Sequence, residues 1–104
     1  MFDTLKKIFG AGPSADYAQL VKNGAIILDV RTPSEYSGGH IQGSINIPVD
    51  QLVSNLHRLR DKERPIITCC ASGMRSGTAK NILEGKGYKQ VYNGGGWGSL
   101  KSKL

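Results

Sequence analysis

Short unbroken apolar runs alternate with stretches that repeat at helical spacing along this chain. AIILDV (25–30) and PIITC (65–69) are apolar without alternation, as expected of strands buried on both faces of a parallel sheet. Ser44 to Ile47, stopped by Pro48, and Gln90 to Tyr92 read as two more brief strands. Between them Tyr17, Leu20 and Val21 mark one helix. Leu52, Val53, Leu56 and Leu59 mark a second, from Asp50 to about Arg58. Ala79, Ile82 and Leu83 mark a third, from Ser76 to about Gly85. This alternation predicts an α/β domain: a mainly parallel sheet of four or five strands with helices on both faces.

Local signals set the boundaries. Ser14 is positioned to cap the first helix, which Asn23-Gly24 stops after Lys22. Thr32-Pro33-Ser34-Glu35 carries a cap, a first-turn proline and the acid of a capping box, and Gly38-Gly39 keeps that helix short. Asn93 to Gly96 reads as a glycine-rich turn leading to Trp97 and a last short helix or tail. At the other end Phe2, Leu5, Ile8 and Phe9 fall at helical spacing before Gly10 to Pro13 break the pattern. Residues 1–12 are therefore expected as an extension, a short amphipathic helix that docks or frays in preference to touching a membrane surface, and 13–104 as the domain.

Composition narrows the function classes. With 104 residues, 38% hydrophobic and 21% charged, the chain suits one soluble domain. No apolar run nears the roughly 18–20 residues that span a bilayer, and the first residues lack a secretory core. The expectation is a cytoplasmic monomer without a membrane partner. The net charge of +6 reads first as a solvated basic surface and second as an attraction for small anions. Nucleic acid is not an expected partner, because Asp61 and Glu63 interrupt the basic run and no aromatic residues alternate with it. Cys69 and Cys70 are neighbours, too close for an unstrained disulfide. No C-x-x-C pair or histidine cluster offers a metal site, so no metal is expected.

What remains is thiol chemistry, and one segment is built for it: ITCCASGMRSGTAKNIL. A strand ends at Cys70, the small and polar residues Ala71 to Arg75 follow, and a helix begins at Ser76. Sites in α/β sheets lie beyond the carboxyl ends of strands. A loop with Gly73 at its middle curls so that its amides face an anion, helped by the helix N-terminus and by the positive charge of Arg75. The same surroundings lower a thiol pKa and would stabilise a persulfide. Cys69, one residue earlier, points to the other face and reads as a core thiol.

Cys70 to Ser76 resembles the active-site loop of the rhodaneses, C-x-x-G-x-R-S. Asp29-Val30-Arg31, Glu35-Tyr36 and Gly39-His40-Ile41-Gln42-Gly43-Ser44-Ile45-Asn46-Ile47-Pro48 are similar to the family's upstream block, with Ser44 in place of the common alanine. Gly94-Gly95 and Trp97 resemble its late glycine–tryptophan motif, at a shorter spacing. The likeness runs from about residue 14 to 100 and is nearest to small single-domain rhodaneses of the phage-shock type. It implies a rhodanese-like fold, Cys70 as persulfide carrier, and Ala71, Ser72, Gly73, Met74, Arg75 and Ser76 as the anion-binding loop. Asp29, Arg31, Glu35 and His40 take supporting places: Asp29 and Arg31 in local pairing with Glu35, and His40 as a packed, hydrogen-bonded ring.

The resemblance implies no cofactor, a small anionic sulfur donor, and a thiol, cyanide or protein acceptor. Its loop of six residues, Cys70 to Arg75, is the sulfurtransferase length, whereas phosphatase relatives carry one residue more. The expected function is transfer of sulfane sulfur from thiosulfate, a polysulfide or a persulfide. The alternative is a relay or binding module that acts only with a protein partner.

Overall fold

Four parallel strands, in the order β2-β1-β3-β4, carry the molecule: β1 (Ile26–Asp29), β2 (Ile45–Asn46), β3 (Ile66–Cys70) and β4 (Val91–Gly96). The computed structural model describes residues 15–104, so the helix expected at the extreme N-terminus and the cap expected at Ser14 lie outside the described residues. Parallel strands need crossovers, and the intervening segments supply them on both faces.

The unbroken apolar runs explain why two layers form. Successive side chains of a strand point to opposite faces. Leu28, Val30, Ile66 and Cys70 therefore pack on one side with Ala79 and Leu83 of the Met74–Gly85 helix and with Leu52, Leu59 and Tyr88. Ile27, Ile67 and Cys69 pack on the other with Leu100 of the Trp97–Lys101 helix and with Tyr17, Leu20 and Val21 of the Tyr17–Lys22 helix. Every residue of β3 is buried, and each large aliphatic side chain so buried contributes about 1.5–3 kcal/mol.

The Tyr17–Lys22 helix is capped by the Asp16 carboxylate, which accepts from the Gln19 amide at 3.1 Å. The helix at Pro33–Ser37 forms with the capping box read from its residues: Thr32 Oγ1 accepts from the Glu35 amide and Glu35 Oε1 from the Thr32 amide.

Two elements differ from expectation. The segment expected as one α-helix from Asp50 is a pair of tight 3-10 stretches, Val49–Gln51 and Val53–Leu59, with Asn55 in a non-helical conformation. Ser54 Oγ and Asn55 Nδ2 both donate to the Gln51 carbonyl, and such local bonds compete with an α-helical ladder. Val53 is left 54% exposed, so it does not join the core with Leu52 and Leu59. The glycine-rich stretch after Tyr92 is not a turn but the end of β4. Among the described residues no helix is long and apolar enough to cross a membrane.

Candidate active site

β3 delivers Cys70 to the carboxyl edge of the sheet, where three residues turn the chain into the Met74–Gly85 helix. Gly73 makes that turn. Its φ of +111° is open to glycine and strained for other residues. It aims the Gly73 amide back at Cys70 Sγ, 2.9 Å away, and the Ser76 amide donates to the same sulfur at 3.3 Å. The helix starts two residues earlier than expected because Gly73, not the loop's end, takes the cap position: its carbonyl accepts the Gly77 amide at 3.1 Å. Ser76, expected to open the helix, lies in its first turn with its hydroxyl facing inward.

These donors decide the chemistry of the sulfur. Burial pushes the Cys70 thiol up, but the Ser76 hydroxyl and the amides of Ser76, Gly73 and Ser72 outweigh it, and the net pKa is below that of an ordinary cysteine. A thiolate here is further favoured by the positive end of a helix of 12 residues. Cys70 is only 1% exposed, so the sulfur sits in a cradle and not at a protruding tip.

The charged residues pair differently from the expectation. Arg31 pairs with Asp29, not with the Glu35 carboxylate: Nε and Nη2 reach Asp29 Oδ1 and Oδ2 at 2.9 and 2.7 Å, and both side chains are buried. Its remaining donors bond the carbonyls of Glu35 (3.2 Å) and Gly39 (2.8 Å), and its guanidinium lies 4.7 Å from the Trp97 ring centre. A buried ion pair with its hydrogen bonds met in this way ties the end of β1 to the Pro33–Ser37 helix, to the loop after it and to the last helix.

The Glu35 carboxylate instead forks onto Arg75, at 2.8 and 3.1 Å. The Arg75 guanidinium, with the Thr32 amide, holds Glu35 down at about 2. Arg75 therefore does not offer the loop a free positive charge; a carboxylate already occupies it. His40 stacks on Tyr36 with ring centres 3.7 Å apart. Its Nδ1 lies 2.7 Å from the Tyr36 carbonyl, which only accepts, so this nitrogen carries the proton. No hydrogen bond joins His40 to the Cys70 loop among the described residues.

β4 supplies what the loop needs from behind, and its part was not read from the residues. A Cβ on Gly94 would lie 2.8 Å from the Thr68 carbonyl oxygen, and one on Gly96 would lie 2.9 Å from that of Ala71. Bare backbone is what lets the strand press against the loop. Asn93 Oδ1 accepts the Ser76 hydroxyl at 2.6 Å and the Gly95 amide at 2.9 Å. A glycine run inside a strand signals close backbone approach as well as a turn, and that meaning pointed here.

The family model of the rhodanese-like domain matches residues 14–103. The chain is 39% identical to YqhL of Bacillus subtilis over 69 residues, which cover 66% of this chain and 54% of that protein. It is 40% identical to the thiosulfate sulfurtransferase PspE of Escherichia coli over 70 residues, 66% of this chain and 67% of that one. It therefore spans about half the length of the first and two thirds of the second. Among solved structures, a rhodanese with anions from E. coli superposes with a TM-score of 0.66 at 35% identity, covering 73% of this chain and 91% of that one. A chain with this sheet order, this cysteine cradle and these relatives belongs to the rhodanese-like domain family.

Proposed function

We propose that this chain is a rhodanese-type sulfurtransferase in which Cys70 carries the sulfur. One observation carries the reading: a sulfur at the end of a buried strand takes two backbone N–H donors at a helix N-terminus. The relatives named as thiosulfate sulfurtransferases support the same reaction class.

The Cys70 thiolate attacks the outer sulfur of thiosulfate. A sulfur–sulfur bond forms to Cys70, the sulfur–sulfur bond of the donor breaks, and sulfite leaves with that electron pair. A polysulfide or small persulfide reacts in the same way, with a shorter polysulfide or a thiolate as leaving group. The terminal sulfur of the Cys70 persulfide carries the negative charge. Cyanide or an acceptor thiolate then attacks that sulfur, taking it as thiocyanate or as a new persulfide, and the Cys70 thiolate returns. No general base is required in the transfer step, because the attacking species is the thiolate, favoured by the lowered pKa of Cys70, and the leaving group is an anion. The amides of Gly73 and Ser76 hold the charge of the Cys70 thiolate, Ala71 and Ser72 form the loop beside it, the exposed Met74 opens the helix at its edge, and Arg75 with Glu35 stands at its rim. The reading needs no cofactor and no second subunit.

Intact mass after incubation with thiosulfate or polysulfide tests it. The expected result is a gain of one sulfur that a reductant reverses, retained by Cys69→Ser and absent from Cys70→Ser. No gain with either donor would remove the carrier reading and leave a module that works only on a protein partner.

A further inference from the structure

Ser76 Oγ lies at a junction with one proton to give. Cys70 Sγ is 3.5 Å away, the Gly73 carbonyl 3.0 Å and Asn93 Oδ1 2.6 Å. When Cys70 is a thiol, it donates to Ser76 Oγ, and the Ser76 proton points to an oxygen acceptor. The shortest of those contacts is to Asn93. When the sulfur is an anion, the Ser76 hydroxyl is worth more turned toward it, because a charged acceptor makes the stronger hydrogen bond. Turning leaves no orphan: Asn93 Oδ1 keeps the Gly95 amide at 2.9 Å, and the Gly73 carbonyl keeps the Gly77 amide.

Resting on the reading of Cys70 as sulfur carrier, we propose that Asn93 is a positioning residue: it draws the Ser76 hydroxyl proton away from Cys70 in the resting thiol and yields it when the sulfur becomes an anion. Asn93 thereby opposes ionisation of Cys70, while Ser76 favours it. The two act on one proton, so their effects are not independent. The charged groups around the sulfur are a background common to the variants: Arg75 with its Glu35 partner on the helix side, Cys69 beside it in the strand, and the Asp29–Arg31 pair at the end of β1.

The test is the thiolate ultraviolet band followed against pH in the whole chain, with Cys70→Ser as the blank and no sulfur donor present. Ser76→Ala should raise the midpoint of Cys70. Asn93→Ala should lower it, by about half to one pH unit for the loss of one competing neutral hydrogen bond. Asn93→Ser guards against a folding failure: its hydroxyl still reaches the Gly95 amide, as serine does in such turns, but is too short for Ser76, and it should lower the midpoint likewise. In the Ser76→Ala background either Asn93 substitution should have no further effect. An unchanged or raised midpoint for both Asn93 variants, or a shift that persists without the Ser76 hydroxyl, overturns the proposal. Ionisation is read without turnover, so failure here is distinct from failure of Cys70 to take up sulfur, which the mass measurement reads.

Discussion

Cys69 and Cys70 are consecutive residues of one strand, both buried, and they are opposite in chemistry. Cys69 faces the layer of Ile27, Ile67 and Leu100. Burial pushes its thiol up to about 12, with the Asp29 carboxylate adding to the rise. Cys70 faces the other layer at the point where the strand ends, and the loop folds two amides and a hydroxyl onto it. Its pKa falls although it too is closed off from solvent. Low exposure alone does not decide which of two thiols ionises more readily. Unspent backbone donors at a helix start do, and strand alternation delivers only one of the pair to them.

The largest effect expected from this contrast is on the proposed carrier. Cys70→Ser should lose all persulfide formation, and Cys69→Ser should keep it to within a few-fold, read by thiocyanate production from thiosulfate and cyanide. Comparable loss in both variants would erase the distinction between the two faces.

Stability against pH should separate the two thiols by sign. Cys69 has a native pKa near 12 against an ordinary 9.0. Across that window the unfolded chain has released the proton and the native state has kept it, so stability falls as pH rises, by up to about 1.4 kcal/mol per unit. Cys70 has a lowered native pKa, so its contribution is present above the ordinary thiol value and is lost as pH falls through the native one. Urea unfolding at a series of pH values, compared with Cys69→Ala and Cys70→Ala, should show the alkaline decline relieved only in the first. An unchanged decline in Cys69→Ala would mean that Cys69 ionises freely in the native state.

The support behind the loop is the next point to break. Gly96→Ala sets a methyl group 2.9 Å from the Ala71 carbonyl oxygen, a backbone atom that has to move. Overpacking of this kind costs about 1–3 kcal/mol, read as a lower denaturation midpoint. Because Ala71 follows Cys70 directly, sulfur loading should slow as well. Gly98→Ala meets nothing within 4 Å and should leave loading unchanged.

What could be read from the residues follows how local each signal is. The capping box at Thr32–Glu35 and the end of β3 at Cys70 depend on neighbours in the chain, and they formed as read. The Val53–Leu59 stretch did not: Leu52, Leu56 and Leu59 fit an α-helix equally well, and the bonds from Ser54 and Asn55 to Gln51 turn it to 3-10 geometry. The loop residues around Cys70 were legible because a thiol, a glycine and a helix start lie within seven positions. Asn93 was not, since it meets Ser76 from 17 residues away, nor was the pairing of Glu35 with Arg75 across 40. Composition names the charges; only the fold says which carboxylate takes which guanidinium.

That pairing sets the smallest expected effect and the sharpest use of the contrast, because it acts at the rim of the Cys70 face alone. Glu35 occupies both guanidinium nitrogens that Arg75 turns toward it, so the anionic donor proposed above would meet a neutral pair. Glutamine serves a capping box as glutamate does, so Glu35→Gln should keep the helix start while freeing the Arg75 charge. KM for thiosulfate should fall by about 3- to 10-fold with kcat nearly unchanged, the size of one partly solvated ionic contact. The gain should shrink as salt is added, since both groups are about a third exposed to water. An uncharged trisulfide donor should show no such change in KM. An equal improvement for charged and uncharged donors would assign Glu35 to the shape of the rim and not to its charge.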